Sequence, residues 1–480
     1  MVTVCKKRGC EIVFFAALII STFLNCFVFL FRPIRYDEAF SFVFFSSKSF
    51  FKIISDYSFP NNHILYNLFA HLVYIFFGGK PYLIRLPAFF GGIGMICANF
   101  FFVKKLFSEE CAYLSSSLLS FTPILIMHSV NARGYSLIIF FSLLLFYSVV
   151  SILKKDEKRW WIIFILFSVL GFYTIPIMLY PLSVAVFLIF SFSKDKRIIK
   201  KAIVALFIIL LFAFLLYLPV ILNSGLSSLL HNRFVKPQEW KVFLAQIFPF
   251  IFSLWTYWQE GLPPFVRVSL ILFFLFSFLA EEKKRLFLFI LSVISANFFV
   301  LFLTRRVPPP RCWLYLLPLY YAISCLGLVK VIKKILKKFK IQENTKIFLF
   351  FGLFVVFLGG YFLPSFLNNK IIEEVPMVVK CLKTSILEKD KVISSSYLAL
   401  PLKYYFLLEN IPVEFIKMKR IERRAFVVFD DVREAERIFV IVKNKKELKS
   451  LLRKFDLVSP IFSLKLLYAG KYLKSYLLVK

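Results

Sequence analysis

The stretch EIVFFAALIISTFLNCFVFLFRPIRYDEAF, residues 11–40, decides the fold class of this 480-residue chain. It opens with an apolar run from Glu11 to Phe31, about as long as the roughly 20 residues that an α-helix needs to cross a bilayer. The run is too long for a signal-peptide h-region and no small-residue cleavage site follows it, so we read it as a retained transmembrane helix. Asp37 and Glu38 come soon after the run. The stretch therefore predicts a membrane crossing with carboxylates beside it.

The composition extends this prediction to most of the chain. Hydrophobic residues make up 60% and charged residues 18% of the sequence, against about 45–50% and about 25% in soluble proteins. Soluble cores cannot hide so much apolar surface, which excludes disordered, fibrous and ordinary cytosolic proteins. Further runs long enough to span a bilayer lie near 83–103, 111–128, 132–153, 160–174, 176–192, 202–222, 265–280, 286–303, 311–329 and 346–364. We predict a polytopic α-helical membrane protein with about 11 transmembrane helices.

The net charge of +34 comes from basic residues whose positions along the chain predict the membrane topology. In a soluble chain it would suggest nucleic acid, but here basic clusters separate the apolar runs, as in cytoplasmic loops that also meet anionic lipids. We therefore expect membrane lipids, and no nucleic acid, as partners. If every basic cluster lies on the cytoplasmic side, the chain must cross the membrane an even number of times between Arg8 and Lys104. The predicted spans 11–31 and 83–103 already provide two crossings. We therefore predict that the ambiguous apolar run 62–78 lies along the outer surface as an interfacial helix. The predicted outer loops are mainly 32–82, 223–264 and 304–310.

The character of the sequence changes after Pro364. Residues 1–364 are predicted to form the membrane module. Residues 365–480 alternate short apolar runs with charge, which predicts a small α/β domain on the extracytoplasmic side. The eight Cys residues form neither a CxxC pair nor a metal-ligand spacing, so we expect no disulfide framework and no zinc site.

The acidic segment Arg35–Phe40 is the most informative motif. A carboxylate pair close to the outer membrane surface suits a general base that acts on a lipid-borne substrate. The alternative is structural: Asp37 would cap a helix that begins at Glu38. We find no charged residue at the middle of a predicted span, which argues against an ion-coupled transporter.

Polar residues also occur in two segments of the outer side that lie further along the chain. Asn62 and His63 open the interfacial run and could hydrogen-bond sugar hydroxyls, or merely form a turn and an amphipathic helix. Arg133 and Tyr135 open a predicted span, where they either contact a substrate or anchor the helix at the interface.

The loop around 304–310 departs from the positive-inside trend, because Arg305, Arg306 and Arg311 surround three consecutive prolines. Guanidinium groups bind phosphate oxygens in a bidentate manner, so a stiff loop of this kind would make a phosphate clamp. The alternative is a contact with lipid headgroups alone.

Taken in order, these motifs resemble the GT-C glycosyltransferases. The closest group is the protein mannosyltransferase-like family, glycosyltransferase family 39, which includes the aminoarabinose transferases of lipid A. The resemblance covers the membrane module and extends more loosely into the tail, at 392–395 and 401–405. The motifs that carry it are Asp37-Glu38-Ala39, Asn61-Asn62-His63, Arg85-Leu86-Pro87, Ala132-Arg133-Gly134-Tyr135, Gly171-Phe172-Tyr173-Thr174 and Arg311 followed by Leu316-Leu317-Pro318.

The resemblance implies a GT-C fold and an enzyme that moves a sugar from a polyprenyl monophosphate to an acceptor on the outer leaflet. The reaction is usually a single displacement with inversion. The family's first-loop aspartate, the base, maps onto Asp37, and Glu38 would orient it or bind the acceptor. Arg133 and Arg311 fall where the family places basic residues near the donor phosphate, and His63 falls in the helix that flanks the cavity.

The remaining site predictions concern the rest of these motifs. Arg305 and Arg306 are further phosphate ligands, and Asn62, Tyr135 and Tyr36 are further substrate contacts. The four His residues show no ligand spacing, and residues 132–135 lack the acid that metal-dependent relatives carry. We expect no required cofactor or metal, although Asp37 with Glu38 could hold a divalent cation weakly.

Three other functions remain open at this point. A flippase or exporter of lipid-linked sugars would share the hydrophobic, basic composition, but it predicts charges lining the membrane interior. A ligase or polymerase of surface polysaccharide would share the cavity and differ in its acceptor. A membrane protein with an external sensor domain would leave the ordered motifs unexplained. The acceptor could be a lipid, a glycan or a protein.

Overall fold

The computed structural model describes residues 2–232, 235–279, 283–339, 374–387, 390–411, 420–421, 424–425, 437–454 and 463–479. The chain divides into two compact units. The first comprises Met1–Leu30, Phe50–Ala70 and Arg85–Phe366, and the second comprises Phe31–Ser49, His71–Ile84 and Leu367–Lys480. The second unit thus combines the C-terminal domain with two segments of the predicted first outer loop. The boundary predicted at residue 364 and the predicted span 346–364 lie outside the described residues.

The part of the chain before residue 340 is mostly helical. Its helices are α1 (Val2–Leu30), α2 (Tyr36–Ser41), α3 (Phe50–Ser55), α4 (Ile64–Phe77), α5 (Pro81–Ile84), α6 (Leu86–Leu106), α7 (Glu109–Phe121), α8 (Pro123–Ser129), α9 (Tyr135–Lys154), α10 (Lys158–Thr174), α11 (Leu179–Phe192), α12 (Lys196–Ser224), α13 (Leu226–Leu230), α14 (Trp240–Trp258), α15 (Pro264–Phe276), α16 (Lys283–Thr304) and α17 (Leu317–Lys338). A π-helical turn at Phe42–Ser46 continues α2, and 3₁₀ turns lie at Pro176–Met178, Ser277–Leu279 and Pro310–Leu316.

The predicted spans that fall within the described residues each coincide with a helix or a pair of consecutive helices. The polytopic helical membrane fold is therefore confirmed. Five helices of the described chain are long and apolar enough to cross a membrane, or six if the bent pair α7–α8 counts as one span. The number of about 11 crossings stays a prediction. The sequence did not indicate α14, which has 19 residues and lies inside the predicted outer loop 223–264.

The bend between α7 and α8 follows from a proline. Pro123 has no N–H to donate, and it disfavours the helical conformation of the residue before it. Thr122 accordingly has φ −65° and ψ 115°, which is extended backbone. The two helices meet at 67°. This bend sets the direction of α8, which leads into the loop before α9.

Hydrogen bonds between helices fix the position of α6. Asn99 donates to the hydroxyls of Ser115 at 2.9 Å and Ser116 at 3.1 Å, which joins α6 to α7. Ser136 donates to the carbonyl of Ala88 at 2.8 Å, which joins α9 to α6. Such polar contacts help to hold helices together where lipid provides no hydrophobic drive for association.

Arg85, just before α6, is buried with 1% of its surface exposed. Its guanidinium donates to the carbonyls of Phe29 at 3.1 Å and Leu30 at 2.7 Å, at the C-terminal end of α1. A cation at this position satisfies carbonyls that the helix leaves open and meets the negative end of the helix dipole. Arg85 therefore fixes the end of α1 to the start of α6.

We expect Arg85→Met to lower the free energy of unfolding by about 3 kcal/mol, because two buried carbonyls lose a charged donor. The measurement is the midpoint of thermal unfolding in detergent. Arg197→Met, which replaces a solvent-exposed arginine, is the control and should match the wild type. An unchanged midpoint for Arg85→Met would contradict the structural role of the guanidinium.

The C-terminal part of the second unit is an α/β domain, as predicted. Its helices are α18 (Val375–Lys383), α19 (Ser396–Leu408) and α20 (Lys445–Lys454), and its strands are β1 (Lys391–Ser394), β2 (Arg420–Ile421), β3 (Arg424–Ala425), β4 (Arg437–Val442), β5 (Ser463–Ala469) and β6 (Lys474–Val479). Four strands form one sheet in the order β1-β4-β6-β5, while β2 and β3 form a separate antiparallel pair. β1 pairs parallel with β4, and β6 pairs antiparallel with β4 and β5.

The sequence accounts for these elements. β4 is a run of β-branched and aromatic residues, and its side chains Ile438, Val440 and Val442 share a buried core with Ile393 and Leu448. Parallel strands need a crossover connection, and α19 lies in the one between β1 and β4. The extracytoplasmic side of this domain stays a prediction.

Candidate functional site

A cavity of about 450 Å³ lies within the first unit. One part of its lining carries polar side chains, from the loops before α4, α9 and α17 and from α12. The other part is apolar and comes mainly from α12 and the segment after α10. The charged and aromatic polar residues of the lining are Tyr57, His63, Arg133, Tyr135, Tyr217 and Arg311.

His63 occupies the polar part in a defined protonation state. The backbone N–H of Gly134 donates to its Nδ1 at 2.9 Å. Burial, followed by the charges of Arg133 and Arg311, lowers the pKa of His63 well below its usual value. A neutral imidazole that accepts at Nδ1 carries its proton at Nε2. His63 therefore presents an N–H donor next to Arg133, whose Nη2 lies 3.2 Å from Nε2.

Tyr135 brings the two arginines of the cavity together. Its hydroxyl accepts a hydrogen bond of 2.8 Å from Nε of Arg311. The guanidinium carbons of Arg133 and Arg311 lie 5.2 Å and 5.9 Å from the centre of its ring. The ring of His63 meets the same tyrosine edge-on at 5.1 Å. Two cations and an N–H donor thus share one aromatic side chain, and this arrangement favours an anionic ligand.

The loop between α8 and α9 positions Arg133. Its backbone N–H donates to the carbonyl of Asn131 at 2.6 Å, which makes a tight turn. The next residue, Gly134, approaches its neighbours so closely that a Cβ there would lie 2.5 Å from Cγ2 of Thr174 and 3.4 Å from Nδ1 of His63. Only glycine leaves room for its amide to reach His63 without displacing them.

The loop before α4 is held by Asn62, which is buried. The amide of Asn62 donates to the carbonyls of Ile53 and Asp56, both at 2.8 Å, and its oxygen accepts from Asn67 at 2.8 Å. The cavity lining in the described chain includes Asn61 and His63, which flank Asn62, but not Asn62 itself. These bonds give Asn62 a structural role in placing His63.

The proline-rich loop places Arg311 in the cavity wall and its other arginines elsewhere. Pro308 and Pro309 line the cavity with Arg311, and the indole of Trp313 donates to the carbonyl of Pro308 at 3.3 Å. The guanidinium of Arg305 lies 5.5 Å from the ring centre of Trp240. Neither Arg305 nor Arg306 is among the described residues that line the cavity.

The acidic residues and Tyr36 belong to the second unit. α2 begins at Tyr36 with Arg35 as its N-cap, so Asp37 lies in the first turn and does not cap a helix that begins at Glu38. Glu38 is buried, and its Oε2 accepts a 2.9 Å hydrogen bond from the backbone N–H of Arg35. Asp37 remains partly exposed. The two carboxylates therefore differ: Glu38 completes the helix start, and Asp37 is accessible.

His128 and Tyr257 form a feature that the sequence did not indicate. Nε2 of His128 lies 2.7 Å from the hydroxyl of Tyr257, and its ring lies 5.1 Å from that of Tyr135. The pair connects α8 with α14 next to Tyr135. No local motif marks the pair, because the two residues are far apart in the chain. Among the described residues, no group of three or more His, Cys, Asp or Glu side chains could hold a metal ion.

Sequence comparison supports the resemblance over part of the chain. Residues 61–222 match the family model described as dolichyl-phosphate-mannose-protein mannosyltransferase. This segment contains His63, Arg133 and Tyr135. No curated protein sequence gives a significant match.

Solved structures share the fold over nearly the whole chain. ArnT from Cupriavidus metallidurans in the apo state has a TM-score of 0.60 at 12% identity, covering 98% of this chain and 98% of that one. ArnT bound to undecaprenyl phosphate gives the same values. The archaeal oligosaccharyltransferase AglB from Archaeoglobus fulgidus, in complex with an inhibitory peptide and a dolichol-phosphate, has a TM-score of 0.54 at 10% identity, covering 97% and 74%. The structural likeness shows the fold, and with the family match it confirms the GT-C resemblance.

The neutral state of His63 predicts a loss of stability in acid. The unfolded chain takes up a proton near pH 6.5, whereas the folded chain, with its lowered pKa, does not. As the pH falls below about 6.5, the free energy of unfolding should therefore decrease by up to about 1.4 kcal/mol per pH unit. His63→Gln removes this contribution, so its thermal midpoint should fall less steeply between about pH 7 and pH 5. Exposed His231 provides the control, His231→Gln, and equal slopes for wild type and His63→Gln would refute a buried neutral imidazole.

Proposed function

We propose that this chain, a membrane glycosyltransferase of the GT-C superfamily, transfers a sugar from a polyprenyl-phosphate donor to an acceptor at the outer face of the membrane. The observation that carries the proposal is the cavity, in which a cationic wall of Arg133 and Arg311 adjoins an apolar wall. A lipid-linked sugar phosphate has the same two parts. It joins an anionic headgroup to a long apolar chain.

The cationic wall fits a phosphate in its hydrogen-bonding as well as its charge. Nε2–H of His63 and Nη2 of Arg133 are both donors and lie 3.2 Å apart. A phosphate oxygen that accepts from both would replace this contact with two charge-assisted hydrogen bonds. Arg311, fixed by Tyr135 at 2.8 Å, supplies a second positive charge. Burial strengthens these interactions because little water competes for the donors.

The apolar wall suits a prenyl chain. Leu210, Ala213, Phe214 and Ile221 of α12 line the cavity at helical spacing. Phe214 is also 55% exposed, so the wall continues onto the outer surface of the helix. Phe207, two turns earlier on α12, is 68% exposed. The undecaprenyl phosphate of the ArnT structure and the dolichol-phosphate of the AglB structure are ligands of the same chemical class.

The proposed reaction is an inverting single displacement. The acceptor hydroxyl oxygen forms a bond to the anomeric carbon, and the bond from that carbon to the phosphate oxygen breaks with its electron pair on the phosphate. Fixed cations stabilise the charge that grows on the leaving phosphate. The hydroxyl proton passes to a carboxylate, because an alcohol has a pKa far above 7 and needs a base. We assign this base to Asp37, a partly exposed acid of the predicted first outer loop.

The alternative functions would use the same cavity but would give different products. A flippase or exporter would bind the same donor and move it across the bilayer without cleaving it. A surface-polysaccharide ligase or polymerase would cleave a pyrophosphate-linked donor. Supplying both donor types, with candidate acceptors, and analysing the products distinguishes all three: the proposal expects a released polyprenyl monophosphate and a glycosylated acceptor. The same products identify the sugar and the acceptor.

Asp37→Asn should lower the rate of sugar transfer at least about 100-fold, because an amide cannot accept the hydroxyl proton. Donor binding should remain, since the substitution leaves the cationic wall intact. The measurement is transfer of labelled sugar from a polyprenyl-phosphate donor by purified protein. Asp56→Asn changes another acid of the predicted first outer loop, whose Oδ1 accepts from the backbone of Ser58, and should transfer normally. Wild-type activity in Asp37→Asn would exclude Asp37 as the base.

Arg133→Met and Arg311→Met should each weaken the binding of polyprenyl phosphate about 10–100-fold, because each removes charged hydrogen bonds to phosphate. Binding can be followed by calorimetry in detergent micelles, with a polyprenol as the uncharged comparison. The polyprenol should bind all variants equally. Arg197→Met serves as the control for loss of one exposed positive charge. Unchanged affinity for the phosphate in both variants would place the donor headgroup outside this cavity.

A further inference from the structure

We infer that helix α19 of the C-terminal domain holds the acidic segment in position, with Tyr404 and Tyr405 as positioning residues for Asp37. The importance of this for catalysis rests on the proposed function, but the contacts do not. All of them lie within the second unit, which contains both α19 and the segments 31–49 and 71–84. The inference gives the C-terminal domain a role in the reaction.

The acidic segment needs support from outside itself. α2 has six residues and continues into the five-residue π-helical turn Phe42–Ser46. Isolated helices shorter than about 12–15 residues are marginal in water, so tertiary contacts must stabilise so short an element. The carbonyl of Ser46 lies 2.9 Å from Nδ1 of His71 on α4, which fixes the far end of the turn. The near end, before Asp37, is fixed differently.

Tyr405 fixes the chain just before α2. The backbone N–H of Ile34 donates to the Tyr405 hydroxyl at 3.0 Å, across 371 positions of sequence. Ile34 is fully buried and Tyr405 nearly so. A buried backbone N–H needs a partner, and here that partner comes from the C-terminal domain. The bond holds the backbone three residues before Asp37.

Tyr404 fixes the second segment and packs on the first. It is fully buried, and its hydroxyl donates to the carbonyl of Gly79. Its ring meets that of Phe42 edge-on, with 5.0 Å between centres. At Gly79 a Cβ would lie 2.7 Å from Cδ2 of Leu408 and 2.8 Å from Cζ of Phe42. The absence of a side chain at Gly79 lets Phe42, which follows α2 directly, pack closely with α19.

Together, adjacent tyrosines of one helix hold both segments of the outer loop that belong to this unit. Tyr405 holds the entry to α2, and Tyr404 holds its exit through Phe42 and Gly79. A shift of about 1 Å in a reacting group can cost about 100-fold in rate. A base on a short helix therefore depends on whatever fixes that helix, and in this chain α19 does so.

The test compares Tyr405→Phe and Tyr404→Phe with Tyr397→Phe, a matched control at the start of the same helix, where the tyrosine ring lies 4.0 Å from Nζ of Lys443. Hydrogen–deuterium exchange of the full chain in detergent should be about fivefold faster at Ile34 in Tyr405→Phe, because one hydrogen bond is lost. Peptides of α6 should exchange as in the wild type. Tyr397→Phe should leave the exchange of residues 31–49 unchanged.

Transfer kinetics distinguish positioning from general damage. With Tyr405→Phe, kcat should fall about tenfold while the KM for the donor stays within about twofold, since the donor cavity lies in the first unit. Faster exchange at Ile34 with unchanged kcat, or a rise in KM alone, would overturn the positioning role. Unchanged exchange would overturn the inference itself. If the wild type transfers no sugar, the proposed function fails, while the exchange result still decides whether α19 holds the acidic segment.

Discussion

Two guanidinium groups held against one buried tyrosine ring are the constraint on which the rest of the site depends. Arg133 and Arg311 lie 5.2 Å and 5.9 Å from the ring centre of Tyr135. Like charges repel strongly where water is scarce, so this arrangement needs rigid support, and an anionic ligand would stabilise it further. The support is visible: the bend at Pro123 directs the loop that carries Arg133, Gly134 ties that loop to His63, and the proline-rich loop carries Arg311.

The proposed reaction uses different chemistry from each of the two units. The first unit supplies the cationic and apolar walls that suit a lipid phosphate. The second supplies the acidic segment, and it has two unlike carboxylates to offer. Glu38 is buried and accepts from the backbone N–H of Arg35, whereas Asp37 is partly exposed. The C-terminal domain contributes Tyr404 and Tyr405, which fix the segment that carries Asp37. The domain that the sequence predicted only as a small α/β unit thus contacts the chain on either side of the proposed base.

The sequence predicted those features that local patterns encode. Hydropathy found the spans because each depends on its own residues, and the alternation of short apolar runs with charge predicted the α/β domain. Arg133, Tyr135 and Arg311 were identified from their place at predicted span ends, and the structure brings them together. Partnerships between distant residues were not readable. Neither the burial of Arg85 on the end of α1, nor the pairing of His128 with Tyr257, nor the bond from Tyr405 to Ile34 leaves a local mark. Asn62 and Glu38 look equally functional in sequence, yet their side chains bond to nearby backbone.

The central claim is that the cationic cavity holds the phosphate of a polyprenyl-phosphate ligand. The most direct measurement is an experimental structure of the full chain with polyprenyl phosphate bound in lipid nanodiscs. We predict a phosphate oxygen within hydrogen-bond distance of Nε2 of His63 and Nη2 of Arg133, and a second oxygen on Arg311. We also predict prenyl units along Leu210 and Phe214 of α12. A phosphate bound elsewhere, with these side chains still packed against Tyr135 and no density between them, would contradict it.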